Sequence, residues 1–210
     1  GDYTLSGGSP LKDVGCSSAP TPAATDLLGN DRISGDEIDI GCYELDVNAF
    51  SLDFAAVETD LAVPGSMTFT ARVSGFDDAD DVWFYWDFNG DGETDLVTKE
   101  RTAVCDYENF GRTSVSLTVT NRTTGATGSA ARANYMNLVP KTMFFGGGTA
   151  PEAPYNTPDK AAAKLQDALD LAVKGVTVLV TPGDYDLTET ISVTHDVIVR
   201  NASGDPEDVK

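Results

Sequence analysis

The sequence feature that most restricts the fold is an aromatic segment that runs directly into an acidic, glycine-rich loop. Apolar residues recur at every second position, at Val82, Phe84, Trp86 and Phe88. This is the period of a β-strand that has one face against a core. Residues 87–95 then hold carboxylates, one amide and two glycines. We therefore expect a half-buried strand that leads into a tight, oxygen-rich turn.

The spacing of oxygen-bearing side chains in this loop predicts a calcium site. Positions one, three, five and nine of a calcium-loop pattern carry side-chain oxygens, and position seven contributes a backbone carbonyl. The predicted ligands are Asp87, Asn89, Asp91, Glu93 and Asp95. The alternative is a solvated hairpin in which Asn-Gly and Asp-Gly only satisfy the turn. Repulsion between the closely spaced acids favours the bound cation.

The net charge of the chain limits its partners. The 210 residues include 34 acidic and 14 basic side chains, which gives a formal net charge of -20. Such a charge repels phosphate backbones and anionic lipid, so we expect neither nucleic acid nor membrane insertion. It fits an extracellular protein in a cation-rich medium, and an ordinary soluble acidic surface is the alternative.

Apolar alternation extends through residues 47–140 and predicts an antiparallel β-sandwich. The order of Tyr85-Trp86-Asp87-Phe88, a Gly-Asp-Gly turn, Tyr107, Gly111 and a strand from Ser114 resembles the PKD (polycystic-kidney-disease) domain. That family is an immunoglobulin-like module of surface and secreted proteins. The resemblance implies that Trp86 is a core residue and that Tyr107 packs against the core. Trp86 also shares its face with Phe84 and Phe88, which supports the same assignment.

Residues 1–46 are short apolar pieces divided by Gly, Pro, Asn and Asp, which excludes a helix. The segments Ser9-Pro10-Leu11, Asp13-Val14-Gly15 and Asp39-Ile40-Gly41-Cys42-Tyr43-Glu44 resemble the last coils of bacterial right-handed parallel β-helix proteins of the choice-of-anchor type. Because that pattern usually has a small residue at the position of Cys42, the departure suggests a Cys16–Cys42 disulfide. Two buried reduced thiols are the alternative.

Residues 141–210 predict a helix followed by short strands. Thr157 as N-cap, Pro158 at the first helical position and an apolar face predict a helix over about 158–173, ended by Gly175. The run from this helix through Val178-Leu179-Val180-Thr181-Pro182-Gly183-Asp184-Tyr185 to Val197-Ile198-Val199-Arg200 resembles the N-terminal cap and first coils of pectate-lyase-like β-helices. The predicted class is therefore mainly β, a sandwich flanked by parallel β-helix coils with one cap helix.

No catalytic residues are predicted. His195 is the sole histidine and has no nucleophile at a recognisable elbow, so a surface turn is the better interpretation. Cys105 is expected to be a free, buried thiol. We expect a non-catalytic segment of a modular bacterial surface or secreted protein. Its open β-helix ends, residues 1–46 and 142–210, are expected to stack on each other, within one chain or between further copies, or on neighbouring modules. The alternative is part of a polysaccharide lyase or glycosidase whose catalytic coils lie elsewhere and whose partner is an extracellular polysaccharide.

Overall fold

The computed structural model describes residues 5, 9–18, 23–34, 36–45, 50–75, 80–186 and 188–210, and these residues are mainly β. One α-helix, α1 (Leu165–Leu171), and two short 3-10 helices, Pro158–Lys160 and Pro206–Asp208, accompany the strands. The described strands are β1 (Ser51–Ala56), β2 (Asp60–Val63), β3 (Gly65–Ser74), β4 (Val82–Asp87), β5 (Leu96–Thr98), β6 (Thr102–Tyr107), β7 (Gly111–Asn121), β8 (Thr127–Pro140), β9 (Thr142–Phe145), β10 (Thr177–Val180) and β11 (Ile198–Asn201).

Strands β1 to β8 form two facing sheets. One sheet has the order β1-β3-β6 and is antiparallel, whereas the other has the order β2-β8-β7-β4-β5. In the five-stranded sheet only the pairing of β2 with β8 is parallel. This arrangement confirms the predicted β-sandwich, in which two sheets enclose one core.

The predicted alternation is observed, because the inward residues of each strand meet in one aromatic core. Trp86 is fully buried, and its ring packs edge-on against Phe54 at 5.5 Å and parallel to Phe88 at 5.6 Å between centroids. Phe84 is also buried. On β7, three consecutive inward positions are 0% exposed: Val115, Leu117 and Val119. Trp86 is therefore a core residue, as both the alternation and the family resemblance predicted.

A second core lies under a small parallel sheet of order β9-β10-β11. Met143, Val176 and Val178 are fully buried there, together with Ala168 of α1. A further short ladder continues beside this sheet, where the N–H groups of Gly183 and Tyr185 donate to Asp208 and Lys210. Continuous parallel β-helix coils are not shown by these few strands.

The single helix predicted over 158–173 is wrong. A 3-10 helix at Pro158–Lys160 is separated from α1 by extended backbone, and Thr157 makes no side-chain cap. The interruption has a clear cause: Ala162 N donates to Phe144 O at 2.8 Å, and Gly146 N donates to Ala162 O at 2.9 Å. This parallel bridge to β9 uses backbone groups that a continuous helix would need, so tertiary pairing overrides alanine's helix propensity.

The sandwich and the parallel sheet are joined directly. Only Lys141 separates β8 from β9, and its N–H donates to Val63 O at 2.9 Å while its carbonyl accepts from Thr177 N at 2.9 Å. Ala62 and Val139, from the parallel pair β2 and β8, belong to the second core. The two units therefore share packed side chains at their junction.

Candidate functional site

The acidic loop is built around Asp87, the last residue of β4. Its side chain is buried at 7% exposure. Asp87 Oδ1 accepts the N–H groups of Asn89 at 3.2 Å and Gly90 at 2.6 Å, and Oδ2 accepts that of Gly92 at 3.0 Å. Gly90 and Gly92 both have positive φ, a conformation that lets the chain fold back over this carboxylate. Asp87 thus determines the shape of the loop.

The other predicted ligands continue the same pattern. Asn89 Oδ1 accepts from Asp91 N, and Asp91 Oδ1 accepts from Glu93 N, each at 2.8 Å. Asp95 Oδ2 accepts from Phe88 N at 2.7 Å, which closes the loop across its base. The structure therefore brings all five predicted residues into one compact turn, with Asn89, Asp91, Glu93 and Asp95 exposed.

The loop concentrates negative charge without internal compensation. Asp87, Asp91, Glu93 and Asp95 make no ion pair with a basic side chain in the described part of the chain. A carboxylate oxygen has two lone pairs, so one N–H donor leaves capacity for a cation. The described residues do not, however, place three acidic, cysteine or histidine side chains as a ready metal cluster. The calcium site stays a prediction.

Behind the loop lies a cleft of about 490 Å³ that contains Tyr107 and Cys105. Tyr107 is buried as predicted, and its hydroxyl donates to Phe88 O at 3.0 Å. Burial raises the pKa of Tyr107, and the charges of Asp95 and Asp87 act in the same direction. Burial likewise raises the pKa of the Cys105 thiol to about 11. Cys105 is free but only half-buried, which corrects the expectation of full burial.

Cys16 and Cys42 are free thiols in the structure, and both are exposed. Cys16 Sγ lies 3.2 Å from Ser18 Oγ. The exposure argues against the alternative of two buried thiols. The proposed Cys16–Cys42 disulfide is not formed here and stays a prediction about the oxidised protein.

Buried carboxylates organise the described residues between 9 and 45, a feature that the sequence analysis missed. Asp26, Asp39 and Glu44 are each less than 10% exposed. Glu44 Oε2 accepts from Arg32 Nη1 at 2.7 Å and from Asp39 N at 3.1 Å. The turn residues around these acids were visible in the sequence, but turn propensity does not show which acids point inward.

Backbone donors also hold the Asp26 carboxylate in its charged form. Burial of Asp26 acts to raise its pKa, but N–H groups of Glu44, Asn30 and Leu28 and the Asn30 side chain outweigh that effect and lower it to about 2. Each of these donors lies within 3.2 Å. The described residues of this piece form turns and an isolated bridge between Thr25 and Asp31. β-Helix coils are therefore not shown here either.

The outer face of the five-stranded sheet carries a second cluster that the sequence analysis missed. The Trp83 ring lies between Lys99 Nζ, 4.9 Å from its centroid, and Arg122 Cζ, 4.1 Å away. Asp81 Oδ1 accepts from Trp83 Nε1 at 2.9 Å and pairs with Lys99 at 2.6 Å. The period-two pattern of β4 contained the information, since residues that alternate with Phe84 and Trp86 must face outward.

His195 lies on the surface, as expected. Its Nδ1 is 3.0 Å from Thr194 Oγ1, and the residue is exposed. No helix in the described residues has both the length and the apolar character needed to cross a membrane.

Comparison with known families decides the nature of the sandwich. The PKD domain model matches residues 51–133, which include β1 to β7 and much of β8. These residues form a PKD domain. Strand β8 continues beyond the matched residues, and only Lys141 separates it from the parallel sheet.

Several solved structures are similar to part of the chain. One, described as the structural basis for promiscuous specificity of carbohydrate-binding modules from the β-sandwich superfamily, has 24% identity and a TM-score of 0.39, and covers 48% of this chain and 38% of that one. The PKD1 domain of Vibrio anguillarum Epp has 25% identity and a TM-score of 0.31, with coverage of 43% and 95%. The PKD domain of human SorCS2 has 19% identity and a TM-score of 0.33, with coverage of 42% and 72%. Comparison with curated proteins gives no match.

Proposed function

We propose that this chain is a non-catalytic structural segment of a modular bacterial surface or secreted protein, in which the PKD domain is a rigid spacer between β-helical pieces. The observation that carries this proposal is the junction at Lys141. A flexible linker would let the units move independently, whereas here one residue separates β8 from β9 and both units contribute to the second core.

The β-helical part of the proposal is supported by parallel pairing over successive turns of the chain. Thr142, Thr177 and Ile198 lie opposite one another in adjacent strands of the parallel sheet. The ladder between 183–185 and 208–210 gives a second parallel face beside it. Stacked coils require such repeated parallel pairing in more than one face.

The rigid junction is tested by the cooperativity of unfolding. We expect one thermal transition for the native chain, because the PKD domain and the parallel sheet share buried side chains. Insertion of four Gly-Ser residues after Lys141 should divide this into two transitions. The same insertion in the exposed turn at 122–125 is the matched control and should leave one. Two independent unfolding transitions in the native chain would contradict the proposal that the PKD domain is rigidly joined to the parallel sheet.

We further propose that residues 87–95 bind calcium through oxygens of Asp87, Asn89, Asp91 and Asp95 and the carbonyl of Glu93. The uncompensated charge of the loop supports this proposal, and an oxygen-only donor set suits a hard cation. Bound calcium would neutralise the repulsion between the acids and stiffen the spacer.

Calcium binding is tested by heat of titration and by melting temperature. Millimolar calcium should raise the melting temperature, since a ligand that binds only the folded state stabilises it by mass action. Asp91→Ala should abolish the rise, because it removes both one charge and one side-chain oxygen ligand. Glu100→Gln makes the same charge change outside the loop and should keep the rise. An unchanged melting temperature together with no heat would refute the site.

Exposed apolar side chains, on the edge strand β11 and in the N-terminal piece, support stacking on further copies or neighbouring modules. Ile198 and Val199 of the edge strand β11 are 59% and 42% exposed. The N-terminal piece also exposes large apolar side chains, at Leu11, Val14, Leu27, Leu28, Ile33 and Ile40. Unpaired edges with apolar residues are templates for association. In light scattering, the apparent molecular mass should increase with protein concentration, and Val199→Lys should suppress this increase. A monomeric mass at every concentration would exclude association between copies.

We place this segment outside the cell or on a bacterial surface, and we assign it no catalytic role. PKD domains are typically extracellular modules, which supports the location. His195 is exposed and is hydrogen-bonded to the neighbouring Thr194, which is consistent with a surface position and no catalytic role for this residue. In the alternative, a polysaccharide lyase or glycosidase, paired acids would lie on coils outside these residues. Assay of this chain against pectin and alginate should give no cleavage.

A further inference from the structure

Strand β6 is an edge strand, and in the described part of the chain one side of its backbone has no strand partner. It is the last strand in the order β1-β3-β6. Ala71 N of β3 donates to Arg101 O at 2.7 Å, so Arg101 faces β3, and Cys105 and Tyr107 follow at even intervals in the same register. Because hydrogen-bonded pairs alternate in an antiparallel ladder, the residues between them direct their N–H and C=O groups to the free edge. These residues are Thr102, Val104 and Asp106.

A cleft opens beside this free edge, on the core-facing side of the strand. Cys105 and Tyr107 line this cleft of about 490 Å³, together with Phe88 and Leu138. Phe110 also lines it and is 47% exposed. Side chains alternate between the two faces of a strand, so a strand added to β6 would direct every second side chain toward the cleft. Apolar side chains at those positions would pack against the aromatic lining.

The charges around the cleft indicate which kind of strand can bind. Among the described residues that line it, Arg112 is the one basic residue, and the acids are Asp95, Asp106 and Glu108. These three acids make no ion pair with a basic side chain of the described residues. Charged side chains on an edge strand prevent pairing with a like-charged copy, and a net charge of -20 adds to that repulsion. The same charges attract a cationic segment.

We propose that β6 binds an extended basic segment of another protein by antiparallel β-strand addition. The main-chain groups of Thr102, Val104 and Asp106 supply the hydrogen bonds, and the antiparallel ladder is the more stable kind. Val104 is 60% exposed, so the outer face of β6 is open to the added side chains.

This pairing specifies an alternating partner sequence. In an antiparallel pair, the residues whose N–H groups bond to β6 share the outer face with Asp106, and the residues between them point into the cleft. Lysine or arginine therefore suits the outer positions, and apolar residues suit the positions between them. The binding site goes beyond the spacer and the calcium loop and requires neither of them.

The test uses the whole chain and a hexapeptide of alternating lysine and valine with blocked termini, in buffer that contains a chelator. Calorimetry measures its affinity, and a hexapeptide of alternating glutamate and valine should not bind. N-methylation of the lysine backbone nitrogens should weaken binding by about tenfold or more, because it removes the donors that bond to β6. N-methylation of the valine nitrogens is the matched control. Those nitrogens face away from β6, so affinity should change by less than about threefold.

Hydrogen exchange measured by NMR locates the contact on the protein. Saturation with the lysine–valine peptide should slow exchange at the Val104 and Asp106 amides and leave Cys105, which already pairs with β3, unchanged. Asp106→Asn should weaken binding by roughly threefold through loss of a cross-strand charge pair, and asparagine keeps an acceptor for the Ser66 hydroxyl. Asp159→Asn makes the same charge change at an exposed position outside the sandwich and should leave affinity unchanged.

Several results would overturn strand addition at β6. They are absence of binding by the lysine–valine peptide, equal binding of the glutamate–valine peptide, retained affinity after methylation of the lysine nitrogens, and unchanged exchange at Val104 and Asp106. Protection of these two amides that increases with protein concentration, without peptide, would identify a second copy of this chain as the occupant and would also overturn it. Circular dichroism confirms that each variant is folded.

Discussion

The Tyr107 hydroxyl donates a hydrogen bond to the carbonyl oxygen of Phe88, 3.0 Å away, at the point where β4 enters the acidic loop. Tyr107 ends β6 in the three-stranded sheet, whereas Phe88 follows β4 in the five-stranded sheet. This bond therefore links the two sheets directly behind residues 87–95. It fixes the base of the loop from the opposite side of the sandwich.

Tyr107→Phe should destabilise the PKD domain by about 1–2 kcal/mol, because the Phe88 carbonyl loses its buried donor. Urea denaturation measures the change. Tyr85→Phe removes a hydroxyl from the outer face and should have a smaller effect. Equal losses of unfolding free energy in the two variants would show that the hydrogen bond between the sheets stabilises the domain no more than a hydroxyl on the outer face does.

Alkaline pH should weaken the fold through the same residue. Because the folded-state pKa of Tyr107 is raised, its contribution is fully present below the unfolded value, near 10, and is lost as pH rises toward the folded value. We expect unfolding free energy to fall above about pH 10. Tyr107→Phe should flatten that part of the profile, and a profile identical to that of the native chain would contradict the assignment.

Cys105 should react more slowly with iodoacetamide than either exposed cysteine does in reduced protein at pH 8. Its thiol is half-buried and has a pKa of about 11, so little thiolate is present. Mass spectrometry of tryptic peptides gives the three rates. The same map without reductant tests the disulfide: protection of Cys16 and Cys42 together supports it, and full labelling of both rejects it.

Glu44→Gln should open the N-terminal piece. The buried Glu44 carboxylate pairs with Arg32 at 2.7 Å and accepts N–H groups of Ser34 and Asp39. Removing one charge of a buried pair typically costs about 3 kcal/mol or more. Faster hydrogen exchange at the Ser34 and Asp39 amides measures this. Glu37→Gln, at an exposed acid, is the control and should leave those amides protected.

Acidic pH should also destabilise the N-terminal piece. Because the pKa of Asp26 is lowered to about 2, its stabilising effect is present above the unfolded value and is lost as pH falls from about 4 toward 2. Hydrogen exchange at Leu28 and Asn30 should therefore accelerate across this interval. Asp26→Asn should remove most of the dependence, and an unchanged pH profile in that variant would show that another carboxyl is responsible.

The sandwich core was predictable because each strand obeys a local rule. Phe84, Trp86 and Phe88 repeat with period two, and the structure buries all three. The loop was predictable for a similar reason, since five oxygen-bearing residues occupy neighbouring positions in one turn. In both cases the residues that determine the structure are close in sequence.

The errors occurred where residues distant in sequence compete for the same groups. Ala162 has good helix propensity, yet its backbone pairs with Phe144 and Gly146, so the predicted helix is divided. The burial of Asp39 and Glu44 depends on Arg32 and on turns that meet only in three dimensions. Trp83 was not predicted for a different reason: the apolar alternation of β4 identifies the residues that face the core, and it does not show which outward residues form a cluster.

The direct connection at Lys141 has a consequence for how such a protein can change during evolution. An inserted or deleted residue here would shift β9 by one position against β10 and exchange its inward and outward side chains. Length variation should therefore be tolerated in surface turns such as 122–125 but strongly selected against at this position. The angle between the sandwich and the parallel sheet that follows it would then be inherited almost unchanged, even among descendants whose surfaces have diverged.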